Sequence, residues 1–321
     1  MVIGKTPTFI ALGAFKVGRV GSIPTLRPLK EVRMNSFIFK KFKKRMGQAN
    51  HFLVTTWIGL DAVATGEVQQ RDAFNVCWNP HDIIFSVKRS KEFLVNAALS
   101  WTVDNLDMYL RMSNHNPKLL SDDESKSFFS TSHSVYEKYK IVIKNHSIDL
   151  NKKAFVDLLI AWRNNMMHYE AENKLLSDSE KFFKNDAKSD AVIKKYHLDV
   201  ELMLNRFYNK KSPSFKEITT LISMTIHFVE DLDQDLMLKL NQERFIKETI
   251  KSILKANNDY CNVFSSRNVN FEKKVKKIKS LLKTEKGITE EFYNEIGNKT
   301  LMDLARLSPE QAYVSLELNM V

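Results

Sequence analysis

Apolar side chains recur every three or four residues along most of this chain, which places them on one face of an α-helix. Before residue 170 the pattern predicts four helices, at 51–64, 79–111, 134–144 and from near Asn151 onward. Asn79 and Pro80 are expected to cap and open the second of them. The polar stretches 113–132 and 170–192 are predicted to be loops.

The same periodicity continues through the second half of the chain, at 192–208 and from Ser214 onward. Ser214 has Glu217 three residues later, and Ser308 has Gln311, which is the spacing of a capping box. No internal repeat or long heptad pattern is present, and only 9 Gly and 7 Pro leave little provision for hairpins. The pattern therefore predicts an all-α helical bundle with additional C-terminal helices.

Three segments of different character divide the chain. Residues 1–33 hold four of the nine glycines and no helical period, and we expect them to be disordered or a mistranslated leader. The leader hypothesis arises because Lys30–Val32 can be encoded by a bacterial ribosome-binding sequence just before Met34. Residues 34–240 are predicted to form the main helical domain, and 241–321 a basic C-terminal helical extension.

The charge balance narrows the classes of partner. The net charge is +11, from 49 Lys plus Arg against 38 Asp plus Glu, and such an excess favours polyanions such as nucleic acid. Cys77 and Cys261 have no paired spacing, which argues against a zinc site and a disulfide framework and fits a reducing cytoplasm. No run of 18 apolar residues is present, so no membrane span is predicted.

One polar stretch interrupts this pattern in a way that suggests chemistry. The apolar run Phe155–Trp162 ends abruptly at Arg163-Asn164-Asn165-Met166-Met167-His168. Arginine presents a planar fork of donors that fits a phosphate, and histidine exchanges a proton near neutral pH. Arg163 and His168 are therefore the candidate catalytic residues. Asn164, four residues before the histidine, is expected to share its face and position it.

These residues resemble a known family. Arg163-Asn164-x-x-x-His168 is similar to the R-N-x-x-x-H signature of HEPN domains (higher eukaryote and prokaryote nucleotide-binding), over residues 80–240. The resemblance implies a HEPN-type helical bundle and a metal-independent endoribonuclease of the bacterial toxin–antitoxin or abortive-infection type. It also implies a homodimer with a composite active site, RNA as substrate and an antitoxin or defence-system partner. Glu170 stands where the subgroup silenced by nucleotidylation carries tyrosine, so that regulation is not predicted.

The chemistry expected of such a site can be written from the residues. Deprotonation of an RNA 2′-hydroxyl starts an in-line attack on the adjacent phosphorus, leaving a 2′,3′-cyclic phosphate and a 5′-hydroxyl. His168 would transfer the protons, and Arg163 would offset charge on the phosphate oxygens. The sequence shows no carboxylate or histidine cluster of ligand type, so we expect no metal and no other cofactor.

Two other interpretations remain open. The chain is alternatively a non-catalytic HEPN-like module that binds RNA, nucleotide or protein, or a helical scaffold in which arginine and histidine only cap a helix end. Asn165 is expected to be polar surface, and His227 a core residue. Other side chains that carry less weight are acids on the long helix, loop histidines and a lysine-rich helix: Glu92, Asp104, Asp107, His81, His115, His133, His146 and Lys273–Lys283.

Overall fold

A computed structural model describes residues 35–68, 78–131, 134–168, 170–186, 190–256 and 270–316. The predicted leader, Cys77 and Cys261 lie outside the described residues, as do His133 and Tyr169. These described residues group as one compact unit, so the C-terminal helices belong to the same body as the main bundle.

The described part of the chain contains α-helices and no strand, which confirms the all-α fold class. A π-helical turn at Phe182–Asp186 and a 3-10 turn at Glu290–Phe292 accompany them. The thirteen helices in these ranges are α1 Phe37–Ala64, α2 Ile83–Ser113, α3 Asp122–Ser130, α4 Val135–Asn145, α5 Leu150–Met167, α6 Ser177–Lys181, α7 Ala191–Tyr196, α8 Val200–Tyr208, α9 Phe215–Lys239, α10 Gln242–Ala256, α11 Phe271–Lys286, α12 Glu295–Arg306 and α13 Pro309–Ser315.

The first two helices differ from their predicted bounds because their caps lie elsewhere. α1 begins at Phe37 rather than near residue 51, since Ser36 caps it and its lysine-rich first half still buries Phe39 and Phe42. α2 begins at Ile83 and not at Asn79-Pro80. The side chain of Asp82 accepts a hydrogen bond from Phe85 N at 2.9 Å and so provides the N-cap.

Both predicted loops contain short helices. Within 113–132, Ser121 and Glu124 form a capping box that starts α3, and within 170–192 lie α6 and the π-helical turn. These helices are too short to show an apolar period. The predicted helix 192–208 is divided into α7 and α8 at His197, whose φ is +49°. The capping boxes at Ser214 and Ser308 are confirmed.

The core is organised around α5. Its residues Ala154–Trp162 are all buried, and it packs against α2, α4, α6 and α9. A helix that is apolar on every side must lie inside the fold. α1 and α2 form a long antiparallel pair beside it, as contacts of Phe42 with Tyr109 and of Trp57 with Lys91 show. No helix among the described residues is both long and apolar enough to cross a bilayer.

A buried carboxylate joins three helices of this core. Asp233 of α9 accepts hydrogen bonds from Ser36 N at 2.7 Å, from Ser36 Oγ at 2.5 Å and from Tyr109 Oη at 2.9 Å. Burial raises the pKa of Asp233 even though these hydrogen bonds oppose the rise. The start of α1 is thereby fixed to α2 and α9.

His146, which we expected to be an unremarkable helix-end residue, is the centre of a second buried network. Its Nδ1 lies 2.5 Å from Asp235 Oδ2 and its Nε2 lies 2.8 Å from Glu124 Oε1. Burial opposes the imidazolium, but the hydrogen bonds to the two carboxylates outweigh it and raise the pKa of His146. The same contacts, with Ser121, lower the pKa of Glu124 to about 2 against the effect of burial. The network links α3, α4 and α9.

Closely packed polar contacts attach the C-terminal helices to one another and to α3. The buried side chain of Gln242 donates to Phe292 O at 2.7 Å and accepts from Asn294 N at 3.0 Å. Arg244 pairs with Asp122 of α3, at 2.7 Å between Nη1 and Oδ2. A Cβ on Gly297 would lie 2.3 Å from Gln242 Oε1, so a larger residue there would displace the Gln242 side chain.

We expect Gly297→Ala to destabilise the protein by about 1–3 kcal/mol, because the new methyl displaces the Gln242 amide from two buried hydrogen bonds. Urea unfolding followed by circular dichroism measures this. Gly59→Ala is the matched control: its Cβ meets nothing within 4 Å, so the same change in α1 should stabilise by about 0.5–1 kcal/mol. Equal effects in both variants would contradict the close approach.

The His146 network predicts how stability depends on pH. Because the pKa of His146 is raised on folding, its contribution is complete below its unfolded pKa of 6.5 and is lost as the pH rises through the folded pKa. The contribution of Glu124 is complete above its unfolded pKa of 4.5 and is lost as the pH falls toward 2. The contribution of this network to the free energy of unfolding should therefore be greatest between pH 4.5 and pH 6.5, the two unfolded pKa values.

His146→Gln should remove the decline above neutral pH and cost about 3 kcal/mol near pH 6, because it leaves two carboxylates without their cation. Urea titrations across the pH range test this. His227→Gln is the control, since His227 is half exposed on α9 and not in the core as we expected. A pH profile of His146→Gln that parallels that of the wild type would rule the network out as its cause.

Candidate active site

The candidate site lies where α5 leaves the core. Trp162 is fully buried and its Nε1 donates to Lys211 O at 2.9 Å, which fixes the last buried turn. Arg163 and Asn164 are half buried, and His168 is exposed. The end of α5 is therefore a rigid support for side chains that face solvent.

His168 does not continue the helix. It is the C-cap of α5, with φ −114° and ψ 114°, and its backbone N–H donates to Asn164 O at 3.0 Å. The histidine has extended backbone geometry at the helix end, and it still lines the same cleft as Asn164. In the described ranges no hydrogen bond joins the two side chains, so the contact between them is through the backbone.

The structure brings the three predicted residues to one cleft. Arg163, Asn164 and His168 line a cavity of about 480 Å³. Its other walls come from the start of α4 and from the segment that follows α5, and these lining residues are Ser134, Val135, Tyr136, Glu170, Ala171 and Asn173. A cleft of this volume lies within the size range of small-ligand sites.

Arg163 has hydrogen-bonding capacity to spare. Its Nη2 lies 3.8 Å from Asp104 Oδ1, beyond hydrogen-bonding distance, and Asp104 is 73% exposed. The buried Nε of Arg163 has no hydrogen-bond partner among the described residues. A buried donor without a partner is uncommon and costly. An anion in the cleft would satisfy the guanidinium without displacing a strong ion pair.

Asn165, which we expected to be polar surface, holds a wall of the cleft. Its Oδ1 accepts from Asn173 N at 2.7 Å and its Nδ2 donates to Asn173 O at 3.1 Å. About two helical turns deeper, Asp157 is fully buried and accepts from Leu176 N at 2.7 Å. Burial raises the pKa of Asp157. Both side chains tie the segment after the motif to α5.

Two further residues line the cleft that were not predicted to do so, Tyr136 and Glu170. Tyr136 of α4 has its pKa raised to about 12, first by burial and then by Asp157 and Glu137, so it stays a neutral donor. Its place 27 residues before Arg163 gives no local signal. Glu170 is exposed at the cleft, two residues after His168, and spacing alone would have found it as a carboxylate near the motif.

The remaining sequence candidates lie elsewhere. Asp107 is 2.8 Å from both Lys138 Nζ and Arg111 Nε, which indicates a structural role. Glu92 lines a different cleft, on the other side of the end of α5. Lys273–Lys283 lie on α11, where Lys279 pairs with Glu290 at 2.6 Å.

A larger and mostly apolar cavity of about 660 Å³ contains no motif residue. It is enclosed by the start of α1, the ends of α2 and α9, and by α10 and the 3-10 turn. Its principal apolar walls are Phe37, Met108, Met237, Phe245 and Phe292. Arg111 and His115 belong to its lining, but Arg163 and His168 of the motif do not, so we place the candidate chemistry of the motif in the smaller cleft.

Comparison with known proteins does not identify this site. No family model, no curated protein and no solved structure matches the chain. In the described segments, no three His, Cys, Asp or Glu side chains cluster closely enough to hold a metal ion.

The neighbouring asparagines should separate structure from function. Asn165→Ala removes the hydrogen bonds to Asn173 and should destabilise the protein by about 1–3 kcal/mol. Asn164→Ala removes no side-chain hydrogen bond made within the described residues and should change the free energy of unfolding by less than about 0.5 kcal/mol. Thermal and urea unfolding of the two variants measure the difference. Equal destabilisation would show that Asn165 does not fix the cleft wall.

Proposed function

We propose that the protein is a metal-independent endoribonuclease of HEPN type that acts at the α5 cleft. The observation that carries the proposal is that Arg163, Asn164 and His168 open into one cavity, with the arginine only loosely paired. The resemblance of these residues to the R-N-x-x-x-H signature supports it, as does the net charge of +11. A role in toxin–antitoxin or anti-phage defence follows from the resemblance and is part of the proposal.

Arg163 would bind the scissile phosphate. Its Nη2 is only weakly engaged by Asp104, so the guanidinium keeps a donor for a phosphate oxygen. As the 2′-oxygen attacks phosphorus, negative charge on the equatorial oxygens increases, and the guanidinium offsets it. Because α5 is buried up to Trp162, little reorganisation is needed when that charge develops.

His168 would carry the proton transfers. One imidazole accepts the proton of the 2′-hydroxyl as the bond from O2′ to phosphorus forms. The bond from phosphorus to O5′ then breaks, and an acid returns a proton to that oxygen. The products are a 2′,3′-cyclic phosphate and a 5′-hydroxyl, with atoms and charge balanced. His168 is exposed, so the imidazole is open to RNA and to a second copy of the chain.

The proposed active unit is a homodimer. A single cleft has one imidazole from the motif, whereas the reaction needs a base and an acid on opposite sides of the phosphorus. A second His168 would take the opposite role, with Asn164 positioning the substrate in each copy. An antitoxin or defence-system partner would act by covering this composite cleft.

The second candidate is a non-catalytic HEPN-like module that binds RNA, nucleotide or protein. The apolar cavity of about 660 Å³ favours it, because such a space accepts a ligand without any catalytic group. Binding that persists without turnover would distinguish this module from the nuclease.

Arg163→Ala and His168→Ala should each reduce RNA cleavage by at least about a hundredfold, since general acid–base and electrostatic contributions are of that order. The assay is cleavage of mixed RNA in EDTA, with 2′,3′-cyclic phosphate ends identified by mass spectrometry. His227→Ala is the matched control, because it removes an exposed histidine from α9 and should leave cleavage unchanged.

Three results would contradict the proposal. Cleavage abolished by EDTA in the wild type would refute the metal-independent mechanism. Cleavage retained in both motif variants would place the chemistry elsewhere. RNA binding without any cleavage in the wild type would favour the non-catalytic module.

A further inference from the structure

A second cleft lies on the other side of the end of α5, and its lining is strongly basic. This basic cleft, of about 710 Å³, is formed by α2, the end of α8 and the segment that leads into α9. Five cationic side chains line it, namely Lys88, Lys91, Arg206, Lys210 and Lys211. The sequence carries no local signal for it, because its cations come from two stretches more than a hundred residues apart.

Part of this positive charge is not neutralised. Glu92 is the one carboxylate in the described lining. Lys91 pairs with Asp61, and Arg206 Nε lies 3.7 Å from Glu217 Oε1. The other three lysines have no ion pair with any described residue, and they are Lys88, Lys210 and Lys211. Such a concentration of uncompensated cations in a concave site focuses a field that attracts anions.

The backbone holds one of these lysines at some cost. Lys210 has φ +51°, a left-handed conformation that favours glycine or asparagine at the end of a helix. Its N–H donates to Phe207 O at 3.1 Å, and Lys211 N–H donates to Arg206 O at 2.9 Å. A lysine in a conformation that suits glycine is consistent with use of its side chain.

The basic cleft is mechanically connected to the candidate active site. Lys211 O accepts the hydrogen bond from Trp162 Nε1, so the lysine segment is fixed to α5. Met166 lines the basic cleft, whereas Asn164 lines the active-site cleft. These two residues point about 160° apart on α5. The two clefts therefore lie on opposite sides of one helical turn.

The ligand chemistry follows from the lining. Lysines act as point charges and do not select a geometry as an arginine fork does, so they fit a chain of phosphates without reading sequence. The aromatic ring of Trp57 is already engaged, at 4.7 Å from the Phe215 ring and 4.7 Å from Lys91 Nζ. It is therefore not a free stacking platform for a base, which favours recognition of the backbone.

We propose that the basic cleft binds the phosphodiester backbone of single-stranded RNA, so that one strand contacts both sides of the end of α5. This inference rests on the proposed function for the identity of its ligand. The basic cleft would hold the strand while its scissile phosphate lies at Arg163.

The test uses the full chain and two charge-matched triple variants. One is Lys88→Gln/Lys210→Gln/Lys211→Gln in the basic cleft. The other is Lys273→Gln/Lys276→Gln/Lys277→Gln, which removes three exposed lysines from α11. Fluorescence anisotropy with a short 2′-O-methyl RNA, which cannot be cleaved by 2′-hydroxyl attack, measures the dissociation constant at several salt concentrations. Melting temperatures check that both variants fold.

The cleft variant should bind at least about tenfold more weakly than the wild type, and the slope of log K against log salt should fall by about two. The α11 variant should keep most of the affinity. Equal losses in the two variants would overturn the proposal. So would saturable binding of ATP that depends on the cleft lysines while the RNA does not bind, since the ligand would then be a free nucleotide.

Cleavage assays separate this proposal from the proposed function. Wild-type protein that binds RNA through the cleft lysines without cleaving it would refute the nuclease and retain the basic cleft. A cleft variant that binds and cleaves like the wild type would refute the basic cleft and retain the nuclease.

Discussion

The complete burial of α5 constrains everything around it. From Ala154 to Trp162 no side chain reaches solvent, so four other helices must enclose this segment. Apart from the buried Asp157, polar side chains follow only where the enclosure ends, and they emerge at a fixed point with fixed direction. Asp157 and Asn165 then use the same helix to hold the following segment in place. One apolar helix thus supplies both the centre of the core and the rigid floor of the candidate site.

The sequence was most informative where a helix was long or its cap was explicit. The all-α class, the capping box at Ser214 and the helix after Ser134 were predicted correctly. The start of α1 was misplaced because lysines alternate with buried phenylalanines in its first half. The start of α2 was misplaced because Asp82 competes with Asn79 as the N-cap. Short helices such as α3 were missed, since they bury too few side chains to show a period.

The sequence predicted which motif residues would lie together, but it did not predict how their side chains are arranged. The motif named three residues that share a cleft, because they follow one another at the end of one helix. The position of His168 outside the helix depends on where burial stops, which spacing does not show. Tyr136 and the basic cleft depend on which helices become neighbours in space. Asn165 was misjudged because its partner, Asn173, lies in a segment without periodicity.

The contacts of the C-terminal helices show that these helices are not a separate domain. A boundary at residue 240, natural in the sequence, would cut the Arg244–Asp122 pair and remove Phe245 and Phe292 from a cavity whose other walls are Phe37, Met108 and Met237. A fragment ending there would present that apolar surface to water. Residues 241–256 and 270–316 therefore share one folding unit with the bundle, and we expect a chain divided at that point to give two poorly folding pieces.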